Sequence, residues 1–209
     1  MTDIIFFDLD GPILDGKMKH YMCYSEIIKK LNGTPIDIDR YWLMKKNKNS
    51  VNEILQLSNL ENENAIENFK RKWISNIKKK ETLNLDVLKK DIMKILLLLQ
   101  SEYELILVTR RNNCENLVWQ LKREKIHNYF NRIFCCPRSD YASKYEAIKH
   151  IKFKNAIFIG DTEEDGETAK ILGIPFVGIL NGLRAKETLS ADWYFNDVFE
   201  ISDFSLLFN

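Results

Sequence analysis

The chain has 209 residues, of which 45% are hydrophobic and 29% charged, and its formal net charge is +1. This length is sufficient for a complete hydrophobic core, either as one domain or as a core with a smaller insertion. The composition argues against disordered and fibrous proteins. The small net charge gives no reason to expect binding to nucleic acid or to an anionic membrane. We therefore expect neither nucleic acid nor a membrane as a partner. We expect the protein to be a monomer or a homodimer.

The cysteines and the apolar segments bear on the cellular compartment. None of the four cysteines has the spacing of a zinc site or of a disulfide scaffold; they are Cys23, Cys114, Cys135 and Cys136. The first residues lack the layout of a signal peptide. The longest apolar segment, Ile92–Leu99, contains Lys94 and is too short to cross a bilayer. These features predict a cytoplasmic protein with reduced thiols.

Short apolar runs, each followed by polar residues, predict the strands of a buried parallel sheet. These runs are Ile4–Leu9, Glu104–Thr109, Arg132–Cys136, Ala156–Gly160, Pro175–Ile179 and Trp193–Phe195. The helices expected between them are Val87–Gln100, Cys114–Lys125, Lys144–Ile151 and Glu163–Leu172, the last with a stop signal at Gly173. This alternation predicts an α/β fold, a Rossmann-like parallel sheet with helices on both faces.

The alternation is interrupted once, after the first strand. The helices expected in that interval are His20–Leu31, Asp39–Lys46, Val51–Leu57 and Glu61–Lys80. We therefore divide the chain into a core, residues 1–15 and 83–209, and a small all-helical domain, residues 16–82. This insertion has 14 Lys and Arg against 8 Asp and Glu, a net charge of +6. Such a basic surface is more often solvated than functional.

The first strand leads into Asp8, Asp10 and Gly11. Residues two apart on a strand point to the same side, so both carboxylates are expected at the carboxyl edge of the sheet, where ligands bind in open α/β folds. Gly11 permits close approach of the backbone to a ligand. Taken alone, the pattern is equally compatible with a strand that ends in an Asp-containing turn.

Two further segments offer groups that could hold an anion. The strand Glu104–Thr109 ends in a hydroxyl and is followed by Arg110 and by backbone amides that could face a phosphate. Lys144 begins a helix, where the helix dipole and the lysine charge would both attract an anion. Each feature by itself is more typical of a polar loop or of a solvated lysine.

The most informative segment follows the strand Ala156–Gly160. Asp161 comes directly after this strand, and Asp165 lies four residues later at the start of a helix. Carboxylates gathered at one loop repel each other unless a cation neutralises them. Oxygen ligands with no histidine or cysteine nearby indicate Mg²⁺ rather than zinc. We favour this reading over an acidic helix N-terminus because Asp161 lies at the tip of the strand.

The four segments follow one another in a defined order, each at the expected strand end or helix start. At this point the chain resembles the haloacid dehalogenase (HAD) superfamily, in particular phosphatases of the phosphoglycolate phosphatase and phosphoglucomutase type, which have a helical cap inserted after the first core strand. The resemblance extends from Ile4 to about Phe199. It implies that residues 16–82 form a cap that closes over the site and selects the substrate.

The resemblance also implies a role for each site residue. Asp8 would be the nucleophile that forms an aspartyl-phosphate, and Asp10 the general acid and then the general base. The implied phosphate-binding residues are Thr109, Arg110, Lys144 and Gly11. The implied Mg²⁺ ligands are Asp8, Asp10 through its backbone carbonyl, Asp161, and Asp165 as a ligand or as support. Candidate specificity residues in the cap are Arg40, Lys45 and Lys46, although such residues most often face solvent.

The expected function is therefore Mg²⁺-dependent hydrolysis of a small phosphorylated metabolite. Asp10 argues against a dehalogenase, which has no alkoxide to protonate. A phosphomutase would keep all four segments and stays an alternative. A non-catalytic phospho-Asp regulatory protein is a weaker alternative, because the four segments are intact and a receiver domain would have its acidic pair first in the chain.

Overall fold

The computed structural model describes residues 2–137 and 143–208. The chain divides into two compact units, residues 1–15 together with 88–209, and Gly16–Val87. The helical domain predicted from the sequence ends at residue 82, whereas the second unit of the structure ends at Val87. Among the described residues, no helix combines the length and the apolar character that crossing a bilayer requires.

The elements follow the expected alternation of strands and helices. The strands are β1 (Ile4–Phe7), β2 (Leu14–Asp15), β3 (Val87–Leu88), β4 (Glu104–Arg110), β5 (Arg132–Cys136), β6 (Ala156–Gly160), β7 (Phe176–Ile179) and β8 (Trp193–Phe195). The α-helices are α1 (Lys17–Lys30), α2 (Ile38–Lys46), α3 (Val51–Gln56), α4 (Glu63–Asn76), α5 (Lys80–Leu83), α6 (Ile92–Leu99), α7 (Cys114–Arg123), α8 (Lys144–Ile148) and α9 (Glu163–Leu172). Short 3₁₀ helices cover His127–Tyr129, Lys186–Thr188, Val198–Glu200 and Phe204–Phe208.

The main sheet has the strand order β5-β4-β1-β6-β7-β8, and its neighbouring strands are parallel. Alternate residues of each strand face opposite sides of the sheet, as the pleat requires. Ile5 and Phe7 pack in one hydrophobic cluster with residues of α6 and α7. Ile4 and Phe6 pack in another with residues of α8 and α9. The expected α/β fold, with helices on both faces of a parallel sheet, is confirmed.

One expected helix begins later than the sequence indicates. Val87–Leu88 forms strand β3, which pairs with β2 in a separate two-stranded sheet. The backbone amide of Lys89 then donates to the carbonyl of Ile13 at 2.9 Å. Asp91, at φ 55°, occupies the position that precedes α6. Because these backbone bonds hold residues 87–89 in place, the helix starts at Ile92.

The second unit contains helices α1–α5, and α1–α4 pack around its own apolar cluster. Tyr24 and Tyr41 stack with ring centroids 4.4 Å apart at its centre. The hydroxyl of Tyr24 lies 2.6 Å from Ser58 Oγ and accepts the backbone amide of Ile36 at 2.9 Å. The buried hydroxyl of Tyr24 is therefore hydrogen-bonded, as a stable core requires.

The prediction that all cysteines are reduced is wrong. Cys114, at the start of α7, and Cys135, in β5, form a disulfide with Cα atoms 5.7 Å apart. Cys23 and Cys136 are free and buried. The two linked residues are 21 positions apart, and only the packing of α7 beside β5 brings them within bonding distance.

Candidate active site

The carboxyl ends of β1, β4 and β6 bring the candidate residues to one edge of the sheet. Phe7 pairs with Leu107 of β4 and with Ile159 of β6, so the carboxyl ends of the three strands lie side by side. The amide of Asp8 donates to the carbonyl of Ile159 at 2.9 Å, which extends the pairing by one residue. Asp8, Thr109 and Asp161 are all buried there.

Lys144 connects two of the buried carboxylates. Its Nζ donates to Oδ1 of Asp165 at 2.5 Å and lies 2.8 Å from Oδ1 of Asp8. The side chains of all three residues are almost completely buried. A single lysine at the start of a helix is usually solvated. Here Lys144 is buried between the carboxylates of Asp8 and Asp165.

Asp165 is held by hydrogen bonds on both of its oxygens. Oδ1 accepts from Lys144, and Oδ2 accepts from the amides of Asp161 at 3.2 Å and Thr162 at 3.0 Å. The Thr162 hydroxyl donates to the same oxygen at 2.7 Å, and the reciprocal bonds of a capping box begin α9 here. Since both oxygens are used, Asp165 is better suited to positioning Asp161 and Lys144 than to binding a metal directly.

Asp161 is enclosed by glycine backbone. Its Oδ2 accepts the amide of Leu183 at 2.5 Å. A Cβ on Gly11 would lie 2.2 Å from Asp161 Cγ, and one on Gly182 would lie 2.3 Å from Asp161 Oδ2. Gly11 also has φ +96°, a conformation that favours glycine. The close approach expected of Gly11 is therefore made to the side chain of Asp161.

The electrostatics of this cluster favour a bound cation. Burial raises the pKa of Asp8 to about 7, although the ammonium of Lys144 opposes the shift. Burial and then the charge of Asp8 raise the pKa of Asp161 well above its ordinary value. Burial lowers the pKa of Lys144, but the carboxylates of Asp165 and Asp8 outweigh it, so this pKa rises. Lys144 stays protonated, and the carboxylates need further positive charge to be ionised together.

The charge of this carboxylate cluster suits a divalent metal ion. Oxygens of Asp8, Asp161 and Asp165 lie within 4.8 Å of one another. Three ionised carboxylates and one ammonium leave two negative charges uncompensated, which one divalent cation would neutralise. Carboxylate oxygens are the ligands that Mg²⁺ prefers in proteins.

Asp10 is held by Arg111, which was not among the predicted site residues. Nη2 of Arg111 donates to Oδ1 of Asp10 at 2.9 Å and lies 2.8 Å from Oδ2. Arg110, the predicted phosphate ligand, turns elsewhere: its Nε donates to Glu164 at 2.7 Å and its Nη1 to the carbonyl of Pro137 at 2.8 Å. Consecutive residues at a strand end point to opposite sides, so only one of the two arginines faces Asp10.

Three residues of this site were not predicted from the sequence: Arg111, Gly182 and Leu183. The signal for Arg111 is its position, two residues after Thr109, which repeats the spacing of Asp8 and Asp10. Gly182 and Leu183 act through backbone atoms, which leave no chemical signature in a sequence.

The candidate specificity residues lie in the helical unit, on α2. Arg40 is exposed, and its amide donates to the capping carboxylate of Asp37 at 2.8 Å. Lys45 and Lys46 are half-buried, and Lys45 Nζ lies 5.9 Å from the ring centroid of Trp73.

Solved structures with the same fold come from several bacteria. The chain is similar to a haloacid dehalogenase-like family hydrolase from Streptococcus pneumoniae, with 22% identity, a TM-score of 0.74 and 96% of each chain covered. It is similar to a predicted phosphoglycolate phosphatase from Haemophilus somnus, with 20% identity, a TM-score of 0.73, and 97% of this chain and 98% of the other covered. It is also similar to a proposed β-phosphoglucomutase from Thermotoga maritima, with 16% identity, a TM-score of 0.65, and 93% and 94% covered. These likenesses show the fold.

The sequence itself carries the family assignment. No protein with a curated description matches the chain closely enough to count as a relative. The model of the haloacid dehalogenase-like hydrolases matches residues 5–179, which include β1, the helical unit, β4, Lys144 and the acidic loop after β6. The chain therefore belongs to the haloacid dehalogenase-like hydrolase family.

Proposed function

We propose that the protein is a Mg²⁺-dependent phosphatase that hydrolyses a small phosphate monoester through an aspartyl-phosphate on Asp8. The observation that carries this proposal is the buried group in which Lys144 Nζ lies 2.8 Å from Asp8 Oδ1 and 2.5 Å from Asp165 Oδ1. A carboxylate repels an incoming phosphate, and an adjacent ammonium reduces that repulsion. Asp8 is therefore placed as a nucleophile for an anionic substrate.

The reaction has two steps. An oxygen of Asp8 bonds to phosphorus while the bond between phosphorus and the ester oxygen breaks, and Asp10 gives that oxygen a proton. Asp10 then takes a proton from the water that attacks the aspartyl-phosphate, which releases inorganic phosphate and restores Asp8. Lys144 and Thr109 hold the phosphoryl oxygens and offset their charge during both steps.

Mg²⁺ would be held by the carboxylates of Asp8 and Asp161 and by the backbone carbonyl of Asp10. When bound, it would supply positive charge that offsets the charge of the phosphoryl group. Asp165 supports the site instead of binding the ion, because its two oxygens already accept hydrogen bonds. Residues that orient metal ligands in this way commonly change metal affinity by about 10- to 100-fold when they are replaced.

The substrate we propose is a small phosphorylated metabolite, and the helical unit Gly16–Val87 is the cap that selects it. Residues 16–82 of this unit have 14 Lys and Arg against 8 Asp and Glu, which favours an anionic substrate. Arg40, Lys45 and Lys46 are the candidate contacts. A cytoplasmic location agrees with such a substrate, and there the Cys114–Cys135 disulfide would meet reducing thiols.

The test is phosphate release from 4-nitrophenyl phosphate with Mg²⁺ and with EDTA, by the wild type and by Asp8→Asn. We expect activity only with Mg²⁺ and a loss on the order of 10⁴-fold or more in the variant, since an amide is a poor nucleophile of similar shape. Asp3→Asn, at the other end of β1, is the matched control and should behave as the wild type.

Three results would contradict the proposal. More than a tenth of wild-type activity in Asp8→Asn would remove Asp8 as the nucleophile, and full activity in EDTA would remove the metal. Transfer of the phosphoryl group within a sugar phosphate, without release of inorganic phosphate, would identify a phosphomutase instead.

A further inference from the structure

The pair formed by Asp10 and Arg111 has a defined geometry. One nitrogen of Arg111, Nη2, lies 2.9 Å from Oδ1 and 2.8 Å from Oδ2 of Asp10. The Arg111 side chain is 17% exposed and that of Asp10 34% exposed, so the pair is only partly screened by water. Hydrogen bonds between charged groups are shorter and stronger than neutral ones.

The backbone of Arg111 is anchored independently of this pair. Its amide donates to the carbonyl of Cys136 at 3.1 Å, and its own carbonyl lies 3.3 Å from Sγ of Cys135. Cys135 is in turn bonded to Cys114 at the start of α7. The chain from Arg111 to Cys114 is therefore tied to β5 at both ends, which fixes the point from which the guanidinium extends.

Asp10 has a physical need for such a partner. It lies in the turn after β1, where Gly11 donates to the carbonyl of Leu14 at 2.9 Å, and its charge adds to the raised pKa of Asp8. The Asp10 side chain is 34% exposed, so without a partner it could adopt other rotamers. A general acid must stay within hydrogen-bonding reach of the leaving oxygen.

We propose that Arg111 is a positioning residue that holds the Asp10 side chain in one orientation, so that it can serve the leaving oxygen and then the attacking water. The inference rests on the proposed function. Arg111 acts through Asp10 and does not bind the phosphoryl group. Its loss therefore affects the proton-dependent part of the reaction and leaves phosphate binding intact.

The experiment measures kcat and KM with two aryl phosphates of different leaving ability, 4-nitrophenyl phosphate and phenyl phosphate, and the inhibition constant of inorganic phosphate. Arg111→Met should lower kcat about tenfold for phenyl phosphate and less than about threefold for 4-nitrophenyl phosphate, because a poorer leaving group depends more on the general acid. The inhibition constant of phosphate should stay within about threefold of the wild-type value, since the proposed phosphate-binding residues Thr109 and Lys144 are intact.

Two further variants make the result specific. Arg111→Lys should recover most of the lost kcat, because a single nitrogen contacts both oxygens of Asp10 and an ammonium can replace it. It also provides a folded comparison if Arg111→Met fails to fold. Arg132→Met is the matched control: it removes an ion pair with Glu104, whose bonds are 2.6 and 2.9 Å long, at the start of β4 and β5. Its kinetics should match the wild type.

The outcomes separate this inference from the proposed function. A wild type that releases no phosphate from either ester overturns both. An active wild type together with an unaffected Arg111→Met variant overturns the inference alone. Equal losses for the two esters, with phosphate inhibition weakened tenfold or more, would show that Arg111 binds the phosphoryl group directly, which also overturns it.

Discussion

Gly182 provides a steric test of the position of Asp161. A Cβ at residue 182 would lie 2.3 Å from Oδ2 and 2.4 Å from Cβ of Asp161, distances at which one of the two groups must move. Gly182 is not among the glycines with positive φ, so Gly182→Ala introduces a collision without backbone strain. The collision displaces Asp161 from the amide of Leu183, to which it is hydrogen-bonded at 2.5 Å.

The size of the effect follows from the contacts that are lost. A hydrogen bond to a charged group contributes about 1.5–3 kcal/mol, and the amide of Leu183 is left without this acceptor. Disturbing a residue that orients a metal ligand weakens metal affinity by about 10- to 100-fold. We therefore expect the Mg²⁺ concentration for half-maximal activity to rise about 10- to 100-fold, with a loss of about 1–3 kcal/mol in the free energy of unfolding.

The assay is a Mg²⁺ titration of phosphate release, paired with denaturant unfolding. Gly173→Ala is the control: Gly173 has φ +69°, and a Cβ there would meet no atom within 4 Å. That substitution should cost about 1 kcal/mol of stability through backbone strain alone and leave the Mg²⁺ titration unchanged. If Gly182→Ala titrates with Mg²⁺ like the wild type, either Asp161 is not a metal ligand or Gly182 does not hold it in place.

Three further predictions address other parts of the molecule. Asp10→Asn should reduce turnover most for esters with poor leaving groups, measured as the ratio of kcat for phenyl and 4-nitrophenyl phosphate; equal losses would place Asp10 in another role. Reduction of the Cys114–Cys135 disulfide, which spans 21 positions, should lower the free energy of unfolding by about 3 kcal/mol, and equal denaturation midpoints with and without dithiothreitol would contradict this. Single replacement of Arg40, Lys45 or Lys46 by Ala should raise KM for the physiological substrate and leave KM for a small aryl ester almost unchanged; if no replacement separates the two esters, these are ordinary surface charges.

Local patterns in the sequence were enough to predict the core architecture and the main site carboxylates. Strands buried on both faces must be apolar throughout, so runs such as Ile4–Leu9 and Ala156–Gly160 are visible without a structure. Parallel strands end at a common edge, which is why Asp8 and Asp161 could be assigned to one site. These inferences succeed because they depend on local periodicity and on the rules of parallel sheets.

The neighbours of these residues could be identified only in the folded chain. In the structure Arg111, and not Arg110, is the partner of Asp10. Both oxygens of Asp165 accept hydrogen bonds, and Cys114 is bonded to Cys135. Each of these outcomes depends on distances between segments that are far apart in the chain or on which side a single residue faces. Residue type and spacing do not specify such distances, because they are set by how the helices and strands pack together.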